Sequence, residues 1–93
     1  MTDSATVQKM IATVCGEIRD LLVEKNKAYG NSAIEPMRVF SKASPLEQIN
    51  VRLDDKLSRI AKGDANYNDE DVEKDIIGYL VLKRVCQRLQ EQK

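Results

Sequence analysis

The run IIGYLVL, residues 76–82, most constrains the fold of this chain, because it is apolar on every side of a helix. A helix that is hydrophobic all round is buried all round. Two further helices in a chain of 93 residues could not cover it, since a monomer of this size buries only about 60–65% of its unfolded surface. Gly78 inside the run costs about 1 kcal/mol relative to Ala, which indicates close approach of a neighbouring helix. We therefore expect a homodimer, or a higher homo-oligomer built from dimers, paired through this helix.

Apolar residues at helical spacing predict three helices, and each is preceded by residues that can cap it. The helices are expected from about Ser4 to Lys27, from Pro45 to Lys62, and from a cap at Asn68 or Asp69 to Gln92. Their core faces are Val7, Met10, Ile11, Val14, Ile18, Leu21 and Leu22; Leu46, Ile49, Leu53, Leu57 and Ile60; and Tyr79, Leu82, Cys86 and Leu89. We predict an all-α protein of one domain, residues 1–93, whose three-helix protomer has a long polar loop between helices 1 and 2 and completes a helical bundle by oligomerisation.

The composition excludes several classes of function. Lys plus Arg and Asp plus Glu number 15 each, so the zero net charge argues against a binder of duplex nucleic acid. The sequence has no run of about 18 apolar residues, so no membrane span is predicted. The N-terminus has no apolar signal segment, so a cytoplasmic protein is expected. Histidine is absent, which removes the usual general base. Cys15 and Cys86 fall in apolar patterns and are expected as reduced core residues.

The segment between the first two helices combines cations, amides and an aromatic side chain. Arg and Lys suit phosphates, whereas a tyrosine ring can stack on a base and amides can recognise its edge. The alternative is a mobile surface loop that is merely polar. We predict nucleotide-binding positions here at Lys27, Tyr29, Asn31, Arg38 and Lys42.

The second helix has an acidic edge and a basic edge on either side of its core face. Glu47, Asn50 and Asp54 form the acidic edge. Arg52, Lys56 and Arg59 form the basic edge, and we expect them to contact phosphate. Local salt bridges on a solvated surface are the alternative.

Two acids of the third helix, Asp71 and Asp75, fall on its apolar face by helical rotation. An ionised carboxylate directed toward a core must be paired, bind a metal or take up a proton. A metal or ligand site is one interpretation. The other is a salt bridge from Asp75 to Arg52 or Arg59, with Asp71 simply exposed at the helix start.

The segments EKNKAYGNS, FSKASPLEQINVRLDDKLSRI and EDVEKDIIGYLVLKR together resemble small phage and prophage proteins associated with nucleotide modification. That group is similar to the all-α NTP pyrophosphohydrolases, the MazG-like and dimeric dUTPase-like enzymes. The resemblance implies a nucleotide-binding loop, dimerisation, and Mg²⁺ held by two acidic helices. At the matching positions the metal ligands would be Asp54, Asp71 and Asp75.

Two functions follow from these expectations. The first is a Mg²⁺-dependent nucleotide pyrophosphohydrolase, in which the base that activates water would be Glu47 or Glu70 because no histidine is present. The chain has fewer acids than that superfamily at the matching positions, so the second is a module that sequesters or senses a nucleotide, for example a host defence signal. A helical interaction protein without a small-molecule ligand is a third possibility.

Overall fold

The protein is all-helical in the computed structural model, which describes residues 2–36, 38–63 and 71–92. Three helices follow one another: α1 (Ser4–Tyr29), α2 (Pro45–Ala61) and α3 (Val72–Glu91). No strand occurs in these ranges, which confirms that the protein is all-α with three helices. None of the described helices has a stretch long and apolar enough to cross a membrane. The chain divides into two compact units, Met1–Gly30 and Asn31–Lys93.

The first unit is the single helix α1. The Asp3 side chain accepts a hydrogen bond from the Thr6 backbone N–H at 2.7 Å, and this bond holds the pKa of Asp3 below its ordinary value of 3.8. The cap therefore stabilises α1 above that pH and is lost as the pH falls. The helix ends at Gly30, where φ is +66° and the N–H donates to the Asn26 carbonyl. α1 is thus two residues longer than predicted.

Part of the predicted core face of α1 is exposed. Val7, Met10, Ile11 and Val14 have exposed fractions of 42–61%. Cys15 is a free, exposed thiol, so its assignment to the core was wrong, whereas Cys86 is buried as expected. Helical periodicity identifies which residues share a face, but it cannot tell whether a neighbour covers that face.

The start of α2 follows its sequence signal. Ser44 Oγ accepts a hydrogen bond from the Glu47 backbone N–H at 3.1 Å, and Pro45 occupies the first turn, where its missing N–H costs nothing. The helix ends at Ala61, and Gly63 follows with φ +81°. Both predicted ends of α2 are confirmed to within one residue.

The start of α3 differs from the prediction. Its N-cap is Asp71, whose Oδ1 accepts a hydrogen bond from the Lys74 backbone N–H at 2.9 Å. The predicted caps, Asn68 and Asp69, lie outside the described residues and precede this cap. Asp71 can cap because its short carboxylate reaches the backbone N–H three residues later, and the next residue, Val72, is buried at the first helical position. Capping by Asp71 satisfies a backbone donor that would otherwise lack a partner.

The core of the second unit lies between α2 and α3. Ile49 and Leu53 of α2 and Cys86 of α3 are buried together. The residues packed around them are Ile34, Leu46, Ile76, Tyr79 and Leu82. Ile34 belongs to the segment predicted as an irregular loop, where the Asn31 carbonyl accepts hydrogen bonds from the N–H groups of Ile34 and Glu35. This segment is therefore partly ordered by a turn and by core packing.

On α2 and α3, three residues of the predicted core faces are more than a third exposed and were wrongly assigned. They are Leu57, Ile60 and Leu89, with exposed fractions of 54%, 44% and 42%. Two packed helices cover only the parts of their apolar stripes that face each other, so residues at the edge or end of a stripe stay accessible.

The core can be tested by comparing two small deletions in α2. Ile49→Val removes one methylene from a buried side chain and should lower the free energy of unfolding by about 1 kcal/mol. Val51→Ala removes two carbons, but Val51 is 59% exposed, so the change should stay within about 0.5 kcal/mol. Urea unfolding followed by circular dichroism measures both. A larger loss from Val51→Ala would contradict this placement of the core.

Candidate functional site

Four side chains, two from α2 and two from α3, lie along one side of the contact between these helices. Lys56 Nζ lies 3.2 Å from Asp75 Oδ2. One turn earlier in α2 and one turn later in α3, the Arg52 guanidinium lies 5.9 Å from the centroid of the Tyr79 ring. These matched steps of four residues show that the two helices run antiparallel. We call Arg52, Lys56, Asp75 and Tyr79 the α2–α3 flank.

The Lys56–Asp75 pair explains why an acid lies on the apolar face of α3. The two side chains are only 13% and 26% exposed. A carboxylate in such a place needs a compensating charge, and the Lys56 ammonium supplies it. The alternative to a metal site was therefore right in kind, but the predicted partner was wrong: neither Arg52 nor Arg59 makes this ion pair in the described structure. The antiparallel register places Lys56 opposite Asp75 and Arg52 opposite Tyr79.

Arg52 has a different electrostatic setting from Lys56. It is exposed and contacts the Tyr79 ring, and in the ranges 2–36, 38–63 and 71–92 no carboxylate lies within ion-pair distance of it. A cation–π contact orients a guanidinium without neutralising its charge. The guanidinium has five N–H donors in a planar fork, the geometry that binds phosphate oxygens in pairs. Arg52 is therefore a preoriented cation available to an anionic ligand.

The third member of the predicted basic edge forms a local salt bridge. Arg59 Nε lies 3.5 Å from Asp55 Oδ2, one turn earlier in α2, and both side chains are partly exposed. Such i,i+4 pairs on a helix surface contribute little to stability. Arg59 thus forms the local salt bridge that was the alternative to phosphate contact. An exposed salt bridge does not prevent contact with phosphate.

The three acids predicted to hold Mg²⁺ lie in three different settings. Asp75 pairs with Lys56, and Asp71 caps α3. Asp54 is exposed and precedes Lys56 by two residues, so it projects from the opposite side of α2. Among the described residues no group of three acids or cysteines is arranged to hold a metal ion. The described residues therefore do not bring these three acids together at one site.

Of the two predicted catalytic bases, only Glu47 belongs to the described residues, and it does not lie at the flank. Glu47 is exposed in the first turn of α2, on the edge that also carries Asp54. Glu70 lies outside the described residues. A general base must lie within hydrogen-bonding reach of the water that it activates, and the described residues place no such carboxylate beside Arg52.

The predicted nucleotide-binding loop is divided between the two units. Lys27 and Tyr29 belong to the last turns of α1 in the first unit, so their assignment to the loop was wrong. Asn31, Arg38 and Lys42 belong to the second unit, where all three are exposed. The helix continued to Tyr29 because no residue before Gly30 interrupts it.

Two residues of α3 were missed as site candidates. Tyr79 was assigned only to the core, yet its ring also contacts Arg52. Lys83 follows Tyr79 by one helical turn and therefore lies on the same side of α3. The available signal was the spacing of Asp75, Tyr79 and Lys83, which places an acid, an aromatic ring and a cation in one row.

The Lys56–Asp75 pair can be compared with the exposed Arg59–Asp55 pair. Asp75→Asn leaves a mostly buried ammonium without its counter-charge and should lower the free energy of unfolding by about 1–3 kcal/mol. Asp55→Asn should cost less than about 1 kcal/mol. Urea unfolding in EDTA and in Mg²⁺ measures both. If wild type is stabilised by Mg²⁺ and Asp75→Asn abolishes that effect, Asp75 is a metal ligand instead.

Comparisons with known proteins assign this chain to no family. The sequence matches no protein-family model, and neither a curated protein nor a solved structure is significantly similar to it. The resemblance to the all-α NTP pyrophosphohydrolases stays a prediction that depends on the three quoted segments.

Proposed function

We propose that the protein binds a phosphorylated nucleotide at the α2–α3 flank and sequesters or senses it without hydrolysing it. The observation that carries this proposal is the placement of Arg52 over the Tyr79 ring, with no carboxylate partner for Arg52 in the described part of the chain. Most surface arginines lose conformational freedom when they bind an anion. Contact with the ring already restricts Arg52, so less freedom is lost on binding.

The charges around Arg52 favour a phosphate ligand. Asp75 is compensated by Lys56, so the flank keeps the positive charge of Arg52, and Lys83 adds a second cation one turn beyond Tyr79. Two cations with one aromatic ring suit a ligand that has both phosphate and a flat base. Arg38, Lys42 and Asn31 lie in the same unit and are further candidates for contact with such a ligand.

Binding is favoured over hydrolysis by the state of the acids. Hydrolysis with Mg²⁺ needs several carboxylates free to bind the ion and a base beside the attacked phosphorus. Asp75 and Asp71 already have partners within the chain, and Glu47 and Asp54 lie on the other edge of α2. Phosphate binding by Arg52 requires no metal, so we expect binding to persist in EDTA.

The experiment is calorimetric titration with ATP, dUTP and a cyclic dinucleotide, each in EDTA and in Mg²⁺. Arg52→Gln should weaken binding about 10-fold to 100-fold, because a hydrogen-bonded charge contributes about 1.5–3 kcal/mol. The control is Arg19→Gln, which removes the same charge from an exposed guanidinium that already contacts Asp20 at 2.9 Å. Binding should also weaken as salt rises.

The same samples distinguish the competing functions when the recovered nucleotide is analysed by chromatography. Release of a nucleoside monophosphate and pyrophosphate only with Mg²⁺ would replace the proposal with a pyrophosphohydrolase. Failure to bind any nucleotide would leave the helical interaction protein. Binding that is unaffected by Arg52→Gln would place the ligand away from the α2–α3 flank.

A further inference from the structure

The side of α3 that faces away from α2 carries a row of exposed apolar residues. Ile77, Leu80, Val81 and Val85 have exposed fractions of 38%, 49%, 41% and 39%. Helical rotation places the first three opposite Tyr79 and Cys86, which pack against α2. Half of the 20 residues of α3 are apolar, although only one face of the helix is covered by α2. Covering the second face would remove further apolar surface from water.

Charged residues continue this row toward both ends of α3. By the same rotation, Glu73 lies on the row near the N-terminus, and Arg84 and Arg88 lie on it near the C-terminus. All three are exposed. We call Glu73, Ile77, Leu80, Val81, Arg84 and Arg88 the outer stripe of α3. The stripe has an acidic end, an apolar centre and a basic end.

We propose that the outer stripe pairs with the outer stripe of a second copy of this chain, with the two α3 helices antiparallel. A two-fold axis at Leu80 and Val81 brings the apolar centres together. It also places Glu73 beside the partner's Arg88, and the partner's Glu73 beside Arg88. A parallel pair would instead bring Arg84 and Arg88 against their own copies, and like charges repel.

The antiparallel register also accommodates Arg84. It places Arg84 opposite the partner's Ile77, where the aliphatic part of the arginine can cover the isoleucine while the guanidinium reaches solvent. Positions 73, 77, 80, 84 and 88 of the stripe are three or four residues apart, the spacing of helices packed along their length. The α2–α3 flank lies on the opposite side of α3, so this pairing leaves Arg52 accessible.

Cysteine cross-linking tests both the contact and its direction. In a Cys15→Ser background the remaining native thiol, Cys86, is buried. Leu80→Cys then places two thiols beside the two-fold axis, so mild oxidation should link most chains into a dimer. Arg88→Cys places the same thiol about 22 Å from its copy, from the helical rise of about 1.5 Å per residue, and should not link. Equal cross-linking of both variants would overturn the antiparallel arrangement.

Charge exchange gives a second test that does not disturb the apolar centre. Glu73→Arg should raise the dissociation constant of the dimer several-fold, measured by analytical ultracentrifugation. Adding Arg88→Glu should restore it, because the exchanged pair has the same attraction with the signs reversed. The proposal would be overturned if the wild-type protein is monomeric at all micromolar concentrations. Coverage of the stripe by α1 of the same chain would give that result.

Discussion

The packing of Ile49 and Leu53 against Cys86 determines the arrangement of the α2–α3 flank. Burial of these three side chains sets the register in which α2 and α3 run past each other. That register then decides which cation lies beside Asp75 and which residue lies beside Tyr79. Because the described core is small, a change of one helical turn in register would replace all of these contacts at once.

The elements that could be predicted from the sequence are those governed by local interactions. Ser44 and Pro45 located the start of α2, and Gly63 located its end, because capping and turn formation involve neighbours within four residues. Helical rotation also placed Asp75 correctly on the side of α3 that faces α2. The end of α1 could be predicted less well from the sequence, because Lys27 and Tyr29 are as compatible with a loop as with the end of a helix.

The contacts that could not be predicted depend on the relation between helices. Lys56, Arg52 and Arg59 all lie on one edge of α2, and nothing within that helix selects which of them meets Asp75. The exposure of Leu57 and Ile60 has the same origin, because periodicity defines an apolar stripe but not the length over which a partner helix covers it. The dual contact of Tyr79, with the core and with Arg52, likewise arises only from packing.

The two cysteines allow separation of α2 from α3 to be measured by thiol modification. Cys86 is 5% exposed and is buried between the helices, whereas Cys15 is exposed on α1. A thiol reagent can reach Cys86 only when α2 and α3 separate, so its rate of modification relative to that of Cys15 measures how often the unit opens. A ligand that bridges α2 and α3 would slow the modification of Cys86 alone, because it must leave before the helices part. The rate of Cys86 modification thus measures, without an added label, how often the unit that carries the α2–α3 flank opens.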